Sequence, residues 1–274
     1  MVRLNRALIV LVLGGASCAS PTVRESASPT FGCELDPDSA GGAGVAAWPD
    51  PAVLRADPAE FVHGNANAYF PLAVGTEWVY QGVVDGHHER IELVVTPRTR
   101  PILGVETIGV RDVNFVDGEL SARTTDWYAH DAEGNVWYFG ERTQNFERGR
   151  PTDTEGWEAG VDGASPGIFM LADPTVGAAY RQNHQTGVVE NLAEVVCLNA
   201  SRTIDGRDYR GLIVVRGWSP LEPEVVELKY YAAGIGKVFE LLTSGGSGGT
   251  ELVRHRSATS PSTSKEGDPC SASS

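Results

Sequence analysis

Apolar and polar residues alternate with a period of two through most of residues 69–254. Trp78 and Tyr80 alternate with Val79 and Gln81, and Ile91, Leu93 and Val95 alternate with Arg90 and Glu92. That period puts successive side chains on opposite faces of an extended strand. Asp85-Gly86, Asp117-Gly118 and Asp205-Gly206 interrupt the alternation. Asp-Gly is a hairpin signal, because a tight two-residue turn needs positive φ at both positions. No segment carries the signature of a long helix. The pattern predicts an all-β fold, an antiparallel meander of about ten strands forming a curved sheet or an open or closed barrel.

The densest aromatic stretch is Asp126–Glu141, "DWYAHDAEGNVWYFGE", a hairpin around "AEGN". An even-residue loop pairs residues whose numbers sum to an odd value. Asp126, Tyr128 and His130 then share a face with Trp137, Phe139 and Glu141. Trp127 and Tyr138 fall on the opposite, more apolar face, which is expected to be core. From Thr143 to Pro174 the alternation stops, yet Trp157, Ile168, Phe169 and Met170 lie there. A long loop that keeps large apolar residues is expected to pack down.

The ends of the chain follow other rules. Arg3 and Arg6 precede an apolar run from Ala7 to Leu13 and then small residues, the order of a secretory leader over 1–17. "GASC" resembles a bacterial lipobox, with Cys18 as the lipidated residue, although Gly15 stands where a leucine is usual. Residues 18–67 are rich in Ser, Pro, Ala, Gly and Asp and read as a flexible tether, with a helical turn near "DPAEFV". The β domain is expected over 68–254 and a disordered tail over 255–274. Cys33 and Cys270 lie near opposite ends and are the expected disulfide; Cys197, in "AEVVCLN", reads as a small core residue.

Three motifs, "YFPLxxGTxWVY" at Tyr69–Tyr80, "DWYAxDxxGNVWYFGE" at Asp126–Glu141 and "KYYAxGIGxV" at Lys229–Val238, occur in that order. Together they resemble an uncharacterised family of exported bacterial proteins, many of them lipoproteins. The resemblance implies a single exported β domain. It implies no activity and no catalytic residues.

Charge narrows the partners. The chain carries a formal charge of −14, and loss of residues 1–17 removes two arginines and no acid, which makes it −16. Such a domain does not suit nucleic acid or an anionic surface. The candidate ligand residues are Asp126, Tyr128, His130, Trp137, Phe139 and Glu141 on the hairpin, Trp157, Glu158 and Asp162 in the irregular stretch, and Arg181. Rings supply contact area for an apolar or carbohydrate ligand and carboxylates bond its hydroxyls. The leading expectation is therefore a non-catalytic envelope lipoprotein, held to the membrane by its N-terminal lipid and binding an apolar or glycan ligand or an envelope protein. Without lipid on Cys18 it would be secreted.

Two alternatives use the same acids. One is a secreted glycan hydrolase with paired carboxylates. The other is a structural module stabilised by Ca²⁺, the one cofactor this acid-rich set could hold. His87 and His88 follow a turn and read as exposed. "GGSGG" at 245–249 matches a nucleophile-elbow spacing but lacks the strand-to-helix context that motif needs.

Overall fold

The computed structural model describes residues 33, 50–62 and 67–258. The expected leader, Cys18, most of the tether and Cys270 lie outside the described residues.

Among the described residues, fifteen strands form one antiparallel sheet. They are β1 (Phe61–Val62), β2 (Glu77–Val84), β3 (His87–Ile102), β4 (Val105–Val116), β5 (Glu119–Asp131), β6 (Val136–Glu147), β7 (Arg150–Glu158) and β8 (Ser165–Met170). There follow β9 (Ala179–Arg181), β10 (Asn183–His184), β11 (Leu192–Ile204), β12 (Arg207–Trp218), β13 (Val226–Ala232), β14 (Gly236–Ser244) and β15 (Gly248–Arg256). The three Asp-Gly pairs are hairpin turns with positive φ at both residues, as at Asp85 (51°) and Gly86 (84°).

The meander runs in two series. Strands β2 to β6 lie side by side in chain order, with β8 beyond β6; β11 to β15 do the same, with β9 beyond β11. The series join where β2 pairs with β15, Trp78 opposite His255. The sheet thus curls nearly into a barrel whose seam lies mid-chain, between β8 and β9. Their backbones pass so close that a Cβ on Gly167 would lie 2.2 Å from the Arg181 carbonyl oxygen. Glycine is what allows that approach.

Three expectations are corrected. The strand count exceeds ten because the stretch from Thr143 to Pro174 is not a loop: β6 continues to Glu147, and β7 and β8 both pair with β6. Strand β7 is exposed from Arg150 to Thr154, so no apolar face marked it. Second, residues 50–62 are a strap on the barrel. Arg181 on β9 is ion-paired with Asp50 and donates from Nε to the Pro51 carbonyl at 2.8 Å. A 3₁₀ turn at Pro58–Glu60, capped by Asp57, leads into β1, which pairs with β5. Since β9 and β5 belong to opposite series, this strap crosses the seam.

Third, Cys33 bonds Cys197 and not Cys270, with Cα atoms 6.2 Å apart. Cys197 is fully buried, as expected of a core residue. It sits between two register shifts of β11.

Candidate functional site

The β5–β6 hairpin starts in the expected register and then departs from it. Asp126 pairs with Glu141 and Trp127 with Gly140, but beyond them Tyr128 pairs with Tyr138 and Ala129 with Trp137. The ladder gains one residue at Phe139–Gly140, a β-bulge. Gly140 has φ 151°, and a Cβ there would lie 2.6 Å from the Trp157 carbonyl oxygen. The bulge moves Tyr138 onto the face of Asp126, Tyr128 and Glu141. It sends Trp137 and Phe139 to the other face, where Phe61 of the strap packs edge-on at 5.5 and 5.4 Å. So Trp137 and Phe139 do not join the expected ligand face, and Tyr138 does. Trp127, expected in the core, is half-buried across Gly109 of β4.

The turn residues explain the motif in which they stand. Asp131 Oδ1 accepts from Asn135 N, and its Oδ2 accepts from Asn135 Nδ2 and Trp137 Nε1, each at 2.8 Å. Asn135 Oδ1 accepts from Ala172 N at 2.9 Å. Asp131 and Asn135 therefore lock the hairpin to the segment after β8. His130 is buried opposite Val62, its Nε2 has no hydrogen-bond partner, and burial holds its pKa below the usual histidine value.

Inside the barrel, Tyr138 Oη stands 2.6 Å from Asp126 Oδ1 and 2.6 Å from Glu141 Oε2. A phenol has one proton and donates to one acceptor. The second short O···O contact requires a proton from a carboxyl, so one of the two acids is protonated. Burial, then the charge of Glu141, push Asp126 well above the carboxylate range, and burial carries Glu141 to about 7. Asp112 on β4 is also pushed to about 7 by burial, and it accepts from Asn114 Nδ2 at 2.9 Å.

Across the lumen, β13 and β14 carry the lysines. Lys229 Nζ lies 2.5 Å from Glu227 Oε1, and Lys237 is ion-paired with Glu240. Burial pushes Lys229 down, but the charges of Glu227 and Glu240 outweigh it and raise its pKa. Burial would raise Glu240, yet Lys237 and Lys229 hold it at about 2. Burial pushes Glu227 up to about 7. That level already reflects the opposing charge of Lys229, and a hydrogen bond with the Glu240 carboxylate helps to hold the proton on Glu227.

Between these walls lies a cavity of about 90 Å³, lined among others by Asp112, Asn114, Asp126, Tyr128, Lys237 and Thr250. A second, wider depression of about 570 Å³ opens beside β7, lined among others by Arg100, Trp127, Glu141, Trp157, Glu158 and Asp162. Trp157 is buried, meets Tyr138 edge-on at 5.2 Å, and leaves Nε1 without a hydrogen-bond partner. Glu158 Oε2 pairs with Arg100 Nη2 at 2.6 Å. The expected residues thus divide: Asp126 and Tyr128 line the cavity, and Glu141, Trp157, Glu158 and Asp162 line the depression. Arg181 is occupied by the strap. His87 pairs with Asp117 at 2.7 Å on the surface. Among the described residues, no three His, Cys, Asp or Glu side chains form a group that could hold a metal.

Lys229, Lys237, Glu227, Glu240, Asp112 and Asn114 escaped the sequence reading. Glu227, Lys229 and Tyr231 share parity within an otherwise apolar strand. Opposite charges two apart on such a strand are the signal that would have found the lysine wall.

No protein-family model matches the sequence, and no curated protein does. Two solved structures match it. One is titled a "putative exported protein with YmcC-like fold" from Bacteroides fragilis, at 12% identity and TM-score 0.41, over 70% of this chain and 100% of that one. The other is titled a "putative lipoprotein" from Parabacteroides distasonis, at 12% identity and TM-score 0.39, with the same coverage.

Proposed function

We propose that this chain is a non-enzymatic envelope protein, exported and lipid-anchored at Cys18, whose barrel binds a glycan in the depression beside β7. The observation that carries the reading is Trp157. A buried indole N–H without an acceptor is costly, and a ligand hydroxyl would relieve that cost. Around it stand the half-buried ring of Trp127, the guanidinium groups of Arg100 and Arg142, and the carboxylates of Glu155 and Glu158. Sugars present apolar C–H faces to rings and hydroxyls to charged groups. The volume falls in the range of ligand clefts, roughly 300–1,000 Å³.

Hydrolysis is less well supported. Asp126 and Glu141 are neighbours bridged by a phenol, not acids flanking an open cleft, and Glu158 is tied to Arg100. Titration of the purified protein with envelope glycan fragments, read by calorimetry, tests the proposal. Saturable binding that weakens about 10-fold or more in Trp127→Ala supports it; no heat with any fragment refutes it. Cys18→Ala is expected to release the protein from membranes, and unchanged membrane retention would sink the lipid anchor.

A further inference from the structure

The outer face of β4, β5 and β6 carries a cluster of cations that the net charge hides. Asp112 and Asp126 face the lumen, so strand alternation turns Arg111, Arg123, Thr125 and Arg142 outward. Arg111 on β4 pairs with Thr125 on β5, and Thr125 pairs in turn with Arg142 on β6. Directly paired Cα atoms lie about 5 Å apart. Arg123, two residues along β5, lies about 7 Å from Thr125. All three arginines are exposed. Their guanidinium groups are thus within reach of one point above a short hydroxyl side chain.

Among the described residues, none of these three arginines has an ion-pair partner. The acids in the same and adjoining outward rows are held by other arginines. Glu92 pairs with Arg90 at 2.7 Å, Glu158 with Arg100 at 2.6 Å and Glu77 with Arg256 at 3.5 Å. Cations this close repel one another, and an anion from outside removes that cost. In a chain of charge −14, three arginines left together without acids are a local exception to the overall field.

The cluster continues the depression beside β7. Arg142 and Trp127 both line that depression. Trp127 stands two residues from Thr125 on the outward side of β5, so ring and cluster are about 7 Å apart. That spacing suits a sugar on the indole with its own charged substituent over Thr125. A phosphate offers tetrahedral oxygens and up to two charges to several guanidinium forks, whereas a carboxylate offers two oxygens and one charge.

From this we infer that the ligand of the depression is a phosphate-bearing glycan, its sugar on Trp127 and its phosphate above Thr125 among Arg111, Arg123 and Arg142. The inference rests on the glycan reading and adds the charge of the ligand.

Calorimetric titration of the full-length protein with glucose 6-phosphate, glucose, glucuronate and inorganic phosphate tests it. Glucose 6-phosphate is expected to bind at least about 10-fold tighter than each of the other three. Arg111→Gln is expected to weaken glucose 6-phosphate about 10-fold. Arg207→Gln, the same charge change at the Asp205-Gly206 turn, is expected to change nothing. Equal binding of glucose and glucose 6-phosphate leaves the glycan reading standing and overturns the phosphate subsite, as does glucuronate binding as tightly. Inorganic phosphate binding as tightly as glucose 6-phosphate, with no effect of Trp127→Ala, overturns the glycan reading and this inference with it. An equal loss in Arg207→Gln assigns the effect to net charge and refutes the cluster. So does the absence of glucose 6-phosphate binding in a Cys18→Ala protein that sediments with phosphatidylglycerol vesicles through Arg111, which would assign the patch to a lipid surface.

Discussion

The two walls of the lumen treat buried acids differently. On β13 and β14, Glu227 and Glu240 meet ammonium groups, and Glu240 keeps its charge. On β4, β5 and β6, Asp112, Asp126 and Glu141 have no cation in contact among the described residues, and the charge is suppressed by protons, one of them demanded by the Tyr138 contacts. Both arrangements avoid an isolated buried charge, which the interior cannot tolerate. The difference is in what they respond to. The Lys237–Glu240 pair stays ionised across ordinary pH, whereas a shared proton can leave.

The strongest way to break the contrast is to remove a cation from the paired wall. Lys229→Met strands Glu227 and is expected to cost about 3–5 kcal/mol in urea unfolding at pH 7. That loss should shrink between pH 7 and pH 5, the range over which Glu227 takes up its proton. A loss below about 1 kcal/mol at pH 7 would mean the pair does not hold the wall.

The acid wall should appear in the pH dependence of the unaltered protein. Asp112 and Glu141, at about 7, keep protons in the folded state that the unfolded chain has released. Their contribution is fully present below about pH 4, declines as pH rises, and is lost above about 7. Several kcal/mol should disappear over that window, read as denaturation midpoints. Glu240 acts in the opposite direction: its contribution is present above about pH 4.5 and is lost as pH falls through about 2. Stability that rises steadily from pH 5 to 8 would contradict the shared proton.

Smaller changes sharpen the same point. Tyr138→Phe removes the oxygen that bridges Asp126 and Glu141 and is expected to cost about 1–3 kcal/mol at pH 6. Glu141→Gln supplies a permanent donor in place of the carboxyl proton. It should lie within about 1 kcal/mol of the parent at pH 5 and flatten the decline toward pH 8. An unchanged slope in that variant would assign the proton elsewhere.

The sequence made the strands and their turns readable because Asp-Gly pairs need positive φ and say so locally. It hid the inside of the barrel for a physical reason. In a curled sheet with a polar lumen, alternation divides the two faces but does not name the inner one. "RDVNFV" therefore looks like a solvent face, while its Asp112 and Asn114 line the cavity. The bulge at Phe139–Gly140 inverted the parity of half the hairpin, and a glycine inside a strand was its one local mark. The strap was hidden because its anchors, Arg181 and Cys197, lie more than 100 residues downstream.

The bond between Cys33 and Cys197 also decides how the molecule carries load. Tension on the chain ahead of Cys33 passes through a covalent link directly into β11. The segment from Asp50 to Val62 lies beyond that junction and bears none of it. Its ion pair with Arg181 and its two residues of β pairing are weak mechanical elements, and they stay seated over the seam because the disulfide takes the pull first.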